Sequence, residues 1–376
     1  MTDRKIRVDG PSGAPVLVLS NSLGTTSDMW QPQMEELSAR FRVVRYEHRG
    51  HGGTDGPPGP YTLDDIGGDL LAVLDEVGAD KASLMGLSLG ATTALWVAAH
   101  HPERVDRLVL ACGDSHWPPS DAWYTRIEKV RTDGPASLLD VLVDRWFTPQ
   151  FVTDHPDVRP VVAAMLQTAG SDGYAGCCAA LAEVDLRPRL GSVTAPTLVL
   201  AGNADPAMSV GRAAELATAV PGASLQVISP GAHLLNMEQP DRFTAAALDH
   251  LAGLPVQRGR ATRRAVLGDA HVDRSERAAS PLTAPFSDLI TRYAWGDIWT
   301  RPGLDRRTRS CITLAMLVSL GRFDELELHL RAARRNGLSD PEIGEVLLQT
   351  AIYCGVPAAN SAFAVARRVL ESPDGG

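Results

Sequence analysis

The stretch MGLSLGA, Met85 to Ala91, decides how the larger part of this chain is read. It is a Gly-x-Ser-x-Gly placed directly between a β-rich run, Ala82–Met85, and a helical pattern. Glycines at 86 and 90 allow a sharp turn and close packing, which leaves the Ser88 hydroxyl at a helix N-terminus. Short Gly/Ser motifs recur by chance, so the weight lies in the placement and not in the pentapeptide.

Outward from this turn, short apolar runs alternate with helical segments up to about His250, the pattern of a parallel sheet covered by helices. The expected strands are Pro15–Ser20, Arg42–Tyr46, Ala82–Met85, Arg107–Ala111, Pro196–Ala201 and Ser224–Ile228. Between Asp114 and Arg189 the rhythm breaks into Trp-, Pro- and Asp-rich helical patches, as expected of an insertion between two strands. A serine is a weak nucleophile until a base takes its proton, and a carboxylate must hold that base in the right tautomer. TLVLAGNADPAMS places Asp205 just past a strand, and LQVISPGAHLLNMEQP places His233 just past the last one. Either could be a turn former taken singly; order and context together read as Ser88, Asp205 and His233 acting as a unit. A developing oxyanion needs two backbone N–H donors. Leu89 supplies one, and Leu23 in LSNSLGTTSDMW is expected to supply the other.

The stretches LSNSLGTTSDMW, YEHRGHGGTD, GLSLGA, DRWFTP and AGNADPAMS together resemble 3-oxoadipate enol-lactonases, a branch of the α/β hydrolase fold. The resemblance covers about residues 3–252. It implies hydrolysis of a five-membered enol-lactone by Ser88, Asp205 and His233. Asn21-Ser22, where many relatives in the wider superfamily carry His-Gly, fits this branch. The substrate carries a carboxylate, so a cation or donor should line the cap; Arg145 and Trp146 are the candidates, although a surface arginine beside a packed tryptophan reads as well.

Length and composition are those of an ordinary globular protein of about two domains: 376 residues, 44% hydrophobic and 22% charged. A formal net charge of -9 argues against general affinity for nucleic acid or an acidic membrane. It also means that an anionic substrate needs local basic residues. Five cysteines fit neither a disulfide framework nor a zinc site. The polar N-terminus and the lack of a spanning apolar run lead to the expectation of a cytoplasmic protein.

From Arg263 onward the β runs vanish, and Arg306–Gly321, Phe323–Gly337, Pro341–Cys354 and Pro357–Leu370 read as four helices. Ser339 and Glu342 make a capping box, and Gly337 and Gly355 suit helix ends. Glu325 and His329 stand four apart at the edge of the stripe Phe323, Leu326, Leu330, Ala333. Periodicity alone favours an ordinary surface pair. The segments RRAVLGDAHVDR, ITRYAWGDIWTRPGLDRRTRS, ELHLRAARRNG and YCGVPAAN, however, resemble 4-carboxymuconolactone decarboxylases, all-α proteins related to the alkylhydroperoxidase D family. The redox relatives carry a CxxC before the histidine; here Arg322 and Glu325 stand at those places, so a dithiol peroxidase is excluded. The resemblance implies a decarboxylation in which the substrate is its own electron sink and no cofactor or metal is needed. His329 is then the expected proton donor with Glu325 as partner. Arg301, Arg306, Arg309, Tyr293, His271 and Tyr353 are candidates for holding carboxylates or the ring carbonyl.

The expected organisation is an α/β hydrolase over 1–252, mostly parallel sheet with a helical cap at about 115–190, a linker at 253–262, and an all-α alkylhydroperoxidase D-like domain over 263–376. Two consecutive reactions on small lactone carboxylates follow, with no nucleic acid or membrane partner. So small a helical domain is expected to form a homo-oligomer through Ser310–Leu320 and Ala358–Val369. The alternative is a hydrolase of another ester or lactone whose helical domain serves only for assembly.

Overall fold

Apolar, β-branched runs such as VLVLS, RVVR and TLVLAG are buried along their length, as suits strands covered on both faces. In the computed structural model, which describes residues 5–117, 121–252, 254–278, 280 and 282–371, they form one sheet. Its strands are β1 (Arg7–Asp9), β2 (Val16–Ser20), β3 (Arg42–Arg45), β4 (Ala82–Leu87), β5 (Val105–Ala111), β6 (Thr197–Gly202) and β7 (Ser224–Ile228). The order is β1-β3-β2-β4-β5-β6-β7, and every pair is parallel except β1 with β3. The antiparallel edge strand β1 was not anticipated, because three residues reading RVD carry no apolar alternation.

The chain divides into two compact units, Met1–Ala252 and Gly253–Gly376. In the first, the helix Leu89–His100 follows β4 and is buried from Leu89 to Ala99, which is why it shows no amphipathic stripe. Between β5 and β6 lies the inserted cap, including helices Asp121–Asp133, Leu139–Trp146, Pro149–Asp154, Val158–Gln167 and Ser171–Glu183. The first and last of these pack against each other.

In the second unit the four expected helices are Arg306–Ser319, Phe323–Arg335, Asp340–Tyr353 and Val356–Leu370. The Ser339/Glu342 capping box forms, and Gly337 and Gly355 take positive φ. The expected linker at 253–262 is instead the start of a helix, Leu254–Leu267. Pro255 falls in its first turn, where a missing N–H costs no helical bond. Gly259 marks a close approach, since a Cβ there would lie 1.9 Å from the Thr291 carbonyl oxygen. What reads as a flexible Pro/Gly stretch is thus one wall of a helical contact. Opposite it, Thr291–Ile298 winds as a π-helix, a geometry that no sequence signal announced.

The apolar surface of this unit also departs from expectation. Ile312, Met316 and Leu320 are exposed on or just after Arg306–Ser319, as anticipated. Val356–Leu370, by contrast, turns Ala359, Ala362, Val365, Ala366 and Val369 into its own core. A second exposed stripe runs through Leu348, Ile352 and Val356 instead.

Candidate active site

Ser88 sits at φ 56° and ψ -115°, a left-handed conformation rarely tolerated outside glycine. Such strain costs about 1–3 kcal/mol and persists only where the surroundings over-determine it. Here the Ser88 N–H donates to the Ala111 carbonyl at 2.9 Å, and the Thr92 N–H donates to the Ser88 carbonyl at 3.0 Å. The flanking glycines are obligatory. A Cβ on Gly86 would meet the Gly90 carbonyl oxygen at 2.2 Å, and one on Gly90 would meet that of Ser20 at 2.0 Å.

Asp205 lies three residues past β6 and His233 five past β7, and both are buried. His233 Nδ1 is 2.8 Å from Asp205 Oδ2, while Asp205 Oδ1 accepts the N–H groups of Ala207 at 2.7 Å and Met208 at 3.1 Å. Burial raises the cost of charge on Asp205, but the adjacent His233 and these N–H donors outweigh it and hold the carboxyl below its usual range. An ionised Asp205 fixes the proton of His233 on Nδ1 and leaves Nε2 as the free base. Ser88 and His233 line one cavity.

Leu23 lines the same cavity. Its neighbours' N–H groups are taken, Ser22 by Met29 Sδ at 3.4 Å and Gly24 by His51 Nε2 at 3.1 Å. Among the described residues no protein acceptor takes that of Leu23. Leu89, first in its helix, has no intrahelical acceptor for its N–H. Among the described residues, both donors expected for an oxyanion are therefore without an acceptor.

A buried network that sequence reading missed braces this loop. Asn21 accepts from Trp30 Nε1 at 2.9 Å and donates to the Tyr46 carbonyl at 2.9 Å; His48 Nε2 lies 3.0 Å from the Asn21 carbonyl. His51 Nδ1 lies 3.2 Å from the Arg49 carbonyl. Burial lowers both histidines to about 4, so they are neutral at neutral pH. A second missed residue is Glu238, buried, whose carboxylate accepts the N–H groups of Thr148 at 3.1 Å and Ala232 at 2.6 Å. With the Leu234 N–H donating to the Trp146 carbonyl at 2.9 Å, it ties the His233 loop to the cap segment DRWFTP. Only that segment's unusual density of Trp, Phe and Pro hinted at such a role.

Arg145 and Trp146 both line the Ser88 cavity, as do Trp117, Trp123, Arg126 and Tyr174. Its free space is about 30 Å³, room for about two waters. A lactone must therefore part the cap side chains, of which Trp123 and Arg126 are partly solvent-exposed. Cys112, Asp205 and His233 are the one group among the described residues whose donor atoms lie close enough together to share a metal ion. They do not suit one. Asp205 and His233 are committed to each other, and burial followed by the field of Asp205 keeps the Cys112 thiol protonated.

In the second unit His329 is half-buried and Glu325 exposed on the helix Phe323–Arg335. Burial first, then the neighbouring His271, pull His329 below the ordinary imidazole range, and Glu325 opposes them only weakly. His271 is lowered in turn by burial and by the fields of Arg263 and Arg274. His271 and Arg274 line a cleft of about 1150 Å³ that also includes Arg264, Arg331 and Leu328. Among the described residues no hydrogen bond or ion pair links Tyr293, Arg301 or Arg309 to His329. Tyr293 is 61% exposed, Tyr353 79% exposed, and Arg309 donates to the Arg301 carbonyl at 2.9 Å. The arginines whose fields reach His271 are Arg263, on the helix Leu254–Leu267, and Arg274, on the helix Asp269–Arg277.

Comparison with known proteins agrees with this division. Residues 15–240 match the family model for the alpha/beta hydrolase fold, and residues 284–368 match that for the carboxymuconolactone decarboxylase family. The chain is 37% identical over 237 residues to 3-oxoadipate enol-lactonase 2 of Acinetobacter baylyi, spanning 63% of this chain and 88% of that protein. Its C-terminal part is 44% identical over 115 residues to 4-carboxymuconolactone decarboxylase of the same organism, 31% of this chain and 86% of that protein. The crystal structure of the enol-lactonase from Burkholderia xenovorans superposes with a TM-score of 0.65 at 37% identity, covering 67% of this chain and 97% of that one. A strained serine beside a carboxylate-held histidine, and a helical unit whose histidine has no CxxC before it, accord with these matches: the chain belongs to the α/β hydrolase fold family, with a unit of the carboxymuconolactone decarboxylase family fused behind it.

Proposed function

We propose that the chain is a bifunctional enzyme of the protocatechuate branch of the 3-oxoadipate pathway. Its second unit decarboxylates 4-carboxymuconolactone to 3-oxoadipate enol-lactone, and its first unit hydrolyses that lactone to 3-oxoadipate. The carrying observation is that one chain joins relatives of two enzymes of which the product of one is the substrate of the other.

In the hydrolase, Ser88 Oγ attacks the lactone carbonyl as His233 takes its proton, and Leu23 and Leu89 N–H groups hold the oxyanion. The ring opens with an enolate leaving group, which His233 protonates toward the ketone. Water activated by His233 then releases the acyl group from Ser88. Arg145 and Trp146 face the substrate from the cap. In the decarboxylase, loss of CO2 leaves a dienolate delocalised into the lactone carbonyl, and His329, flanked by His271 and Glu325, delivers the proton to carbon. Because burial and His271 lower His329 below the ordinary imidazole range, it acts as an acid only in the fraction that binds a proton first.

We also place the protein in the cytoplasm as a homo-oligomer assembled through the second unit. The free cysteines support a reducing compartment. The exposed stripes Ile312–Met316–Leu320 and Leu348–Ile352–Val356 support self-association.

The test follows 4-carboxymuconolactone by ultraviolet absorbance and product analysis, with spontaneous hydrolysis subtracted. Ser88→Ala should accumulate enol-lactone, its hydrolysis slowed by at least about 10³-fold. His329→Ala should leave the starting lactone. Supplied with enol-lactone directly, His329→Ala should still hydrolyse it; failure to do so, loss of CO2 release in Ser88→Ala, or full turnover in Ser88→Ala sinks the assignment.

A further inference from the structure

Three arginines of the first unit stack over aromatic rings. Arg49 lies 5.0 Å from the centre of the Tyr61 ring and pairs with Asp69 at 2.6 Å. Arg212 lies 5.6 Å from Trp117 and pairs with Asp114 at 2.5 Å. Arg126 lies 5.3 Å from Trp123, and among the described residues no carboxylate pairs with it. It is also the one of the three that lines the Ser88 cavity.

The hydroxyl of Tyr174 stands in the same wall. Tyr174 is fully buried, and its oxygen has no hydrogen-bond partner among the described residues. A buried hydroxyl without a partner costs about 1–3 kcal/mol, and the field of Arg126 reaches it. Arg145, with which no carboxylate pairs among the described residues, adds a second positive charge to this wall, so that the two guanidinium groups repel. Two guanidinium groups with no carboxylate paired to them among the described residues, and a buried hydroxyl with no partner there, give the wall beside the nucleophilic serine the chemistry of an anion site. The chain's formal net charge of -9 makes such local cations necessary for an anionic substrate.

We infer that Arg126 and the Tyr174 hydroxyl are the specificity-determining pair that holds the carboxylate of the lactone substrate, away from the ester carbonyl that Ser88 attacks. The inference rests on the hydrolase reading above and deepens it. Trp123 fixes the guanidinium plane, and Tyr174 donates to the oxygen that Arg126 does not take. The unit then prefers lactones and esters bearing a negative charge to neutral ones of the same size.

The experiment compares kcat/KM on the enol-lactone, an anion, with that on the neutral p-nitrophenyl acetate. In Arg126→Ala the anionic-to-neutral ratio should fall about 10- to 100-fold, through KM. Arg126→Lys should recover part of it, and Tyr174→Phe should lower it about 3- to 10-fold. Calorimetry with adipate supplies an arm independent of turnover: wild type binds it and not dimethyl adipate, and Arg126→Ala weakens it by a similar factor. An unchanged ratio with unchanged adipate binding in Arg126→Ala overturns the proposal, as does a loss confined to kcat. Wild type that ignores the enol-lactone yet binds adipate through Arg126 would sink the substrate assignment and leave the clamp standing.

Discussion

His51 accepts the Gly24 N–H on Nε2, so a proton added there would set two N–H groups against each other in the loop that carries Leu23. Its folded-state pKa, and that of His48, lie at about 4 against an ordinary 6.5. The sign follows. Above pH 6.5 neither the folded nor the unfolded state binds these protons, and the contribution to stability is whole. Below it the unfolded chain takes protons that the folded chain cannot, so stability is lost as pH falls from 6.5 toward 4. Each histidine can account for up to about 3 kcal/mol of that loss. Urea denaturation across this range should show a midpoint falling with pH, with a shallower slope in His51→Gln; an equal slope would contradict the neutral assignment. His329 gives the companion prediction in the second unit. If it is the acid, the rate of CO2 release should decline as pH rises past its deprotonation, which lies below the ordinary imidazole value of 6.5. A rate indifferent to pH through that region would remove His329 from the proton-transfer role.

At the scale of elements, the helix Leu254–Leu267 decides what the second unit can do. It brings Val266 and Leu267 into a small core with Val272, Trp295 and Ala332, and it delivers Arg263 and Arg264 near His271. The contact depends on Gly259, where an added methyl would collide with the Thr291 carbonyl. Gly259→Ala should therefore destabilise the second unit by about 1–3 kcal/mol, with CO2 release impaired and enol-lactone hydrolysis retained. Two thermal transitions by calorimetry, only one of them lowered, would be the signature; an unshifted pair would show that the contact yields cheaply. In the first unit the comparable element is the cap segment Arg145–Thr148. Glu238 and the Trp146 carbonyl tie it to the His233 loop, so the elements that carry the base and the lid are braced together.

At the scale of the molecule, two catalysts of successive steps are present in equal number by covalent linkage, which raises the concentration of a labile intermediate near the unit that consumes it. The helical unit contributes most of the large exposed apolar side chains, including Leu320 at 71% and Ile352 at 78% exposure. The stripes they belong to are the surface through which the proposed homo-oligomer would assemble. Leu320→Glu combined with Ile352→Glu should convert the proposed assembly to monomers by analytical ultracentrifugation while helical circular dichroism persists. A wild type already monomeric at micromolar concentration would refute the assembly.

Much was legible in the residues themselves. Nucleophile, acid and base occur in fixed order just past apolar runs, and a strand buried on both faces must be apolar whatever surrounds it. Helix caps such as Ser339/Glu342 are equally local, since the bonds they close span only three residues. What the sequence could not reveal are pairings between distant residues. The partners of Glu238, and the meeting of the Tyr174 hydroxyl and Arg126 in the wall of one cavity, exist only because separate segments come together. The same holds for the helix at 254–267, where Pro and Gly, ordinarily breakers, are accommodated by a first turn and a neighbouring backbone. Local interactions write themselves into spacing and residue type; interactions between segments far apart in the chain leave no such periodic trace, and the tertiary structure alone decides them.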